Sequence, residues 1–237
     1  MAYRLLGIAL GAVVAWQVAD RLPLGRGYAL AGPAFALTLL LTALAAERLA
    51  PRPGATGPRS ASLAVRRIRD YLPVYPSWVA GLGTVALVAL LSVTTAVAVA
   101  DDQGRAGRAI SRNCDDGVMT SSPWPGGYYA LPILAATGAC LLLALVALRA
   151  VARRPRLAGD DGTRRRAAEV IISGYGIAVL TPLAGCASAA VAGAFAVQCG
   201  AHRTGVVYTT AAVAAVTLVV FWAYLVSVLL FGRRVRA

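Results

Sequence analysis

Six long runs of apolar residues alternate with polar connections along this chain. A helix of about 20 apolar residues is long enough to cross a bilayer core of about 30 Å. The pattern therefore predicts an all-α fold, a single polytopic membrane domain with six transmembrane helices. The predicted spans lie at about 3–19, 28–46, 77–100, 128–151, 170–198 and 205–231.

The overall composition agrees with this class. Hydrophobic residues make up 59% of the 237 residues and charged residues only 14%, whereas charged residues are about 25% of a typical soluble domain. All 23 basic residues are Arg. The bias toward Ala, Arg, Gly and Val is typical of proteins from high-GC bacterial genomes.

The distribution of the arginines predicts the orientation of the spans. Seventeen of them lie at the N-terminus, in the connections 47–76 and 149–169, and in the C-terminal tail, and six lie on the other side. Short loops rich in Arg remain in the cytoplasm. We therefore expect a multi-pass protein of the plasma (inner) membrane with both termini cytoplasmic and an extracytoplasmic loop at 101–127.

The start of the chain has a second interpretation. Arg4 followed by "LLGIALGAVVAW" resembles a secretory signal peptide. Gln17 stands at the minus-three position for cleavage after Ala19, where a small residue is required. We interpret this segment as an uncleaved first span.

The formal net charge of +13 raises the question of nucleic-acid binding. The arginines lie in short loops beside apolar segments, which indicates contact with anionic lipid headgroups and no nucleic acid. The sequence pattern of residues 60–72 predicts either a short interfacial helix on the cytoplasmic leaflet or an ordinary basic loop. The predicted headgroup contacts are Arg66, Arg67, Arg69, Arg164, Arg165 and Arg166.

Small residues recur at four-residue spacing in two spans. Such stripes let helix backbones approach closely where lipid supplies no hydrophobic drive for association. They close the protein's own bundle or dock another subunit. The stripes are Gly7, Gly11 and Ala15 in the first span and Gly185, Ala189 and Gly193 in the fifth.

Prolines interrupt three spans, at Pro33, Pro132 and Pro182. Each removes a backbone donor and tends to kink its helix. Thr181 precedes Pro182 and is able to donate its hydroxyl hydrogen to a nearby carbonyl. We expect Pro132, Thr181 and Pro182 either to border a cavity or to serve packing alone.

The four cysteines divide into two pairs by depth. Cys114 and Cys199 fall on the predicted outer side, where disulfides persist, so we predict a bond between them. Cys140 and Cys186 lie within spans and are expected to act as small apolar residues.

The extracytoplasmic loop is the longest element on its side and carries mixed charge. We predict either a surface for a partner, a substrate or a cation, or a solvated connector. The residues expected to form that surface are Asp101, Asp102, Asp115, Asp116 and Trp124.

Residues that carry membrane chemistry are missing from the sequence. No span has an ionisable residue at its middle, which disfavours a proton relay. A single His, His202, and the lack of a Cys-x-x-Cys pair predict no metal and no cofactor. No P-loop, Gly-x-Ser-x-Gly or His-Glu-x-x-His motif occurs, so we expect a protein that is not an enzyme.

Two functions remain open at this level. The first is a non-enzymatic subunit or accessory component of a membrane complex, with other membrane subunits or further copies of the chain as partners. The alternative is a transporter or permease for a small neutral or apolar solute, which three proline-interrupted helices would suit.

Overall fold

The computed structural model describes residues 2–49, 72–115, 117–153, 161–199 and 205–231. These residues form six helices and one two-stranded sheet. In chain order the elements are α1 (Ala2–Arg21), α2 (Arg26–Leu49), α3 (Val74–Ala96), β1 (Ile110–Cys114), β2 (Gly117–Ser121), α4 (Gly127–Ala152), α5 (Asp161–Ala196) and α6 (Gly205–Phe231).

Four helices in the described part of the chain are long and apolar enough to cross a membrane, namely Arg26–Ala46, Val74–Ala96, Gly127–Ala152 and Gly162–Ala196. The described part of α6 contributes a shorter apolar stretch, Leu218–Leu230. A mostly helical fold with apolar helices of membrane-spanning length, as the sequence predicts, is confirmed.

The expectation of an all-α fold was incomplete, because residues within the connection between α3 and α4 form a β-hairpin. β1 and β2 pair in antiparallel register, from Ile110 opposite Ser121 to Cys114 opposite Gly117. Helix α3 ends at Ala96, four residues before the end of the third predicted span. Beyond that end, Val99 pairs with Ala109, with N···O distances of 2.8 and 3.1 Å.

Helix α5 is the centre of the bundle. It packs against α2, α3, α4 and α6, and every residue from 171 to 180 is buried. A helix that is apolar on all sides occupies a core rather than a surface. With 36 residues, α5 is about 54 Å long at 1.5 Å per residue. It begins nine residues before the predicted span and extends beyond one end of an apolar layer of about 30 Å.

Two glycines of α5 allow its close contacts with neighbouring helices. A Cβ at Gly174 would lie 3.0 Å from Leu39 of α2, and one at Gly176 would lie 2.5 Å from Leu225 of α6. Tyr175, between them, is buried and its hydroxyl lies 2.9 Å from that of Thr84 in α3. This Gly-Tyr-Gly segment is thus a packing surface.

Several threonine hydroxyls inside the helices are satisfied by their own backbone. Thr38, Thr84 and Thr137 each donate to the carbonyl four residues earlier, at 2.7–3.0 Å. Such bonds remove the cost of a polar group in an apolar layer. The predicted interfacial helix at 60–72 falls outside the described residues except for Leu72.

Candidate functional site

The connection between α3 and α4, residues 97–126, forms a folded unit at one end of the bundle, and we call it the hairpin loop. Its first turn is built on Asp101. The Oδ1 atom of Asp101 accepts hydrogen bonds from the backbone N–H groups of Gln103 and Arg105 at 3.1 and 2.9 Å. Its Oδ2 atom pairs with Arg105 Nε at 2.8 Å and Arg108 Nη1 at 2.7 Å. The loop therefore folds back on one carboxylate.

These contacts determine the ionisation of Asp101, whose side chain is fully buried. Desolvation, the largest single effect, would raise its pKa. The hydrogen bonds from Arg108, Arg105 and the two backbone amides together outweigh desolvation, so the pKa of Asp101 lies well below its ordinary value of 3.8. The carboxylate remains charged and acts as the fixed counterion of two guanidinium groups.

Tyr129 joins the hairpin loop to the turn between α1 and α2. Its hydroxyl donates to the carbonyl of Leu24 at 2.6 Å and accepts from Arg108 Nε at 3.3 Å. Leu24 has a φ of 62° and Gly25 a φ of 80°. The backbone there adopts a left-handed turn that strongly favours glycine.

Trp124 anchors the other end of the loop. Its indole N–H donates to the carbonyl of Thr94 at 2.8 Å, and the Thr94 hydroxyl donates to Pro125 O at 2.7 Å. The Trp124 ring lies against Gly193 of α5, where an added Cβ would come within 2.8 Å of Cε3. The side chain is 5% exposed. Trp124 thus ties the loop to α3 and α5 at once.

The Cys114–Cys199 disulfide fixes the hairpin to the segment just after the end of α5, with a Cα–Cα distance of 5.6 Å across a sequence separation of 85. The bond predicted from the sequence is present. Cys140 and Cys186 are free and buried, as expected of small apolar residues.

Most of the hairpin itself remains exposed. Seven of its ten strand residues are exposed, and the side chain of Val118 is 68% exposed. We define the hairpin surface as the exposed residues Ser111, Arg112, Asn113, Asp115, Val118, Met119 and Thr120. It combines apolar, polar and charged side chains around the strand pair.

Two of the residues predicted to form a partner surface are not accessible. Asp101 is buried and paired with arginines of the loop, and Trp124 is buried against α3 and α5, so neither is available to a partner. Asp102 and Asp115 are exposed, in agreement with the prediction. Asp116 lies outside the described residues. Strand residues such as Val118, which the sequence pattern does not single out, are exposed as well.

The first stripe of small residues packs within the chain. Gly7 faces Thr42 and Gly11 faces Phe35, both on α2, while Ala15 is half-buried. The stripe on α1 therefore closes the pair of helices α1 and α2.

The second stripe has two environments. Gly193 is buried against Trp124, whereas nothing lies within 4 Å of a Cβ added to Gly185. Gly185 and Ala189 line a cavity of about 150 Å³. Pro123, Trp124 and Pro125 of the hairpin loop also line it. Of the two glycines, Gly193 has the packing role that its spacing predicts and Gly185 does not.

The three residues expected beside a cavity are separated in the structure. Pro132 lines a second cavity, of about 370 Å³, together with Arg26 and Tyr128. Thr181 donates to Ile177 O at 2.8 Å and lies where α5 meets Gly32 of α2. Thr181 and its neighbour Pro182 line neither of these two cavities and serve helix packing.

The predicted headgroup arginines differ in exposure. Arg165 and Arg166 are exposed, as a contact with lipid headgroups requires. Arg164 is fully buried, so its side chain does not face the headgroup layer, contrary to the expectation. The other three, Arg66, Arg67 and Arg69, lie outside the described residues.

Among the described residues, no group of three or more His, Cys, Asp or Glu side chains is placed to hold a metal ion. Fold and site together define a helical membrane protein whose hairpin loop is fixed at one end of the bundle by a disulfide. No family model, curated protein or solved structure is significantly similar to this chain. Function therefore has to be inferred from the chemistry of the described residues.

Proposed function

We propose that the chain is a six-span protein of the plasma (inner) membrane, with both termini in the cytoplasm and the hairpin loop outside. Two independent features support this orientation. Arginines concentrate in the connections at the opposite end of the chain's helices from the hairpin loop. The Cys114–Cys199 bond is of a kind that persists in an oxidising compartment, as found outside the cytoplasm.

Within that arrangement the protein acts as a non-enzymatic subunit or accessory component of a membrane complex, and the hairpin surface is its contact with the partner. The observation that carries this proposal is that the hairpin surface is highly exposed while the hairpin loop is held firmly in place. A two-stranded hairpin is marginally stable alone. Here it is held by a disulfide, the Asp101 ion pairs and the Trp124 anchor. A surface fixed in one geometry loses less entropy on binding.

The alternative, a permease for a small neutral or apolar solute, has less structural support. Such a protein needs a solute site near the middle of the membrane. Residues 171–180 of α5 are all buried against neighbouring helices. Both cavities described above lie beside the hairpin loop and the first turns of α4.

Site-specific photo-crosslinking in intact cells tests the proposed contact. A photoreactive residue at Val118 on the hairpin is expected to give one protein adduct of defined mass. The matched control is Val85 of α3, which is also 68% exposed and is expected to give no such adduct because it faces lipid. A chain that is monomeric in every mild detergent, with no protein adduct at Val118, would contradict the proposal.

A further inference from the structure

The cavity of about 370 Å³ lies between the start of α2, the end of α3 and the first turns of α4. Its lining is polar on one side and apolar on the other. Arg26 and Thr95 supply a cation and a hydroxyl, whereas Leu131 and Pro132 supply an apolar wall. This is the arrangement that an amphipathic ligand requires.

Arg26 is held in place by the neighbouring helix. Its Nη2 and Nε atoms donate to the carbonyl of Tyr128 at 3.0 and 3.3 Å. That carbonyl lacks its usual helical donor because residue 132, four positions later, is a proline. The guanidinium also stacks 3.7 Å from the centroid of the Tyr128 ring. The cation is therefore preorganised at the cavity.

The charge of Arg26 has no acidic partner among the described residues. Asp101 is taken by Arg105 and Arg108, and Arg108 itself lies 5.9 Å from the Tyr128 ring. Two guanidinium groups, those of Arg26 and Arg108, thus lie near the Tyr128 ring. The positive end of the α4 dipole, at Gly127, adds to the excess. The cavity is electrostatically complementary to an anion.

The apolar wall identifies the kind of anion. Leu131 is 74% exposed and belongs to a helix of membrane-spanning length and apolarity. Inorganic phosphate would gain nothing from this wall. A phospholipid would place its phosphate at Arg26 and run an acyl chain past Leu131 into the bilayer.

We propose that this cavity is a binding site for an anionic phospholipid from the leaflet at the hairpin end of the bundle. Arg26 makes charge-assisted hydrogen bonds to the headgroup phosphate, for which the planar guanidinium is well suited. Thr95 supplies a further hydroxyl donor. The site is independent of the partner contact proposed above.

Native mass spectrometry of the full-length protein, titrated with phosphatidylglycerol in detergent, tests the site. Arg26→Gln is expected to weaken retention of the tightest-bound lipid by about tenfold or more, since a charged hydrogen bond is lost. Arg21→Gln is the matched control, because Arg21 is exposed and does not line the cavity. It should retain the lipid as the unmodified protein does. Phosphatidylcholine, whose headgroup is neutral overall, should be retained less well.

A second variant separates ligand binding from folding. Pro132→Ala restores an amide donor for Tyr128 O, so Pro132→Ala combined with Arg26→Gln removes the charge without leaving that carbonyl unpaired. We expect this double variant to fold and still lose the lipid. Equal retention by Arg26→Gln and Arg21→Gln would overturn the proposal. Displacement of phosphatidylglycerol by inorganic phosphate at equal concentration would overturn the assignment to a lipid.

Discussion

At the scale of single residues, Asp101 has a role that its sequence context does not reveal. It belongs to a loop with four aspartates and three arginines, which is typical of a solvated surface. Its burial depends on Arg105 and Arg108 folding back to it. That is a matter of loop geometry, and spacing alone does not specify it. Asp102, the next residue, is exposed.

The buried carboxylate predicts a pH-dependent stability for the hairpin loop. Because the pKa of Asp101 is lowered on folding, its stabilising effect is complete above its ordinary pKa of 3.8. The effect is lost as the pH falls toward the folded-state value. Asp101→Asn should lower the thermal unfolding temperature at pH 7 and reduce its change between pH 5 and pH 3.

Asp102→Asn is the control for this prediction, because it removes the same charge from an exposed neighbour. Differential scanning fluorimetry of both variants in detergent, together with limited proteolysis of the loop, would measure the difference. Identical unfolding temperatures and pH profiles for the two variants would show that the Asp101 ion pairs do not hold the loop.

At the scale of elements, the helices were predictable and the hairpin was not. Long apolar runs locate helices directly, and the prediction of the last one coincides with α6 (Gly205–Phe231). The strands "ISRNC" and "GVMTS" are short, mostly polar and without clear alternation. The nearest turn signal is the dipeptide Asp116-Gly117, but Gly117 is the first residue of β2, so this signal does not locate the turn itself.

The two glycines of the second stripe predict opposite responses to the same substitution. Gly193→Ala would bring a Cβ to 2.8 Å from the Trp124 ring, an overpacking that costs about 1–3 kcal/mol. Gly185→Ala points into open space, and Ala favours a helix over Gly by up to about 1 kcal/mol.

Thermal unfolding of the two variants in the same detergent compares them directly. Gly193→Ala should unfold at a lower temperature than the unmodified protein. Gly185→Ala should match it or exceed it slightly. A lower unfolding temperature for Gly185→Ala alone would mean that the packing of the Trp124 anchor against α5 is wrongly described.

At the scale of the whole molecule, sequence patterns identified a helical membrane protein and the disulfide that fixes its hairpin loop. Hydropathy and the arginine distribution reflect the bilayer as a whole, so membrane spans and their orientation can be predicted from the sequence alone. Contacts between segments that are distant in the sequence cannot be predicted in this way, and the contact between Arg26 and Tyr128 is an example. They are 102 residues apart, and only the packing of α2 against α4 brings them together.

The proposed topology requires the hairpin loop and the arginine-rich connections to lie on opposite sides of the membrane. The described cysteines are either disulfide-bonded or buried, so a cysteine introduced at exposed Asp102 or exposed Arg165 can be labelled separately. With a membrane-impermeant maleimide on intact cells, Asp102→Cys should react and Arg165→Cys should react only after lysis. Labelling of Arg165→Cys in intact cells, or of both variants alike, would contradict the topology.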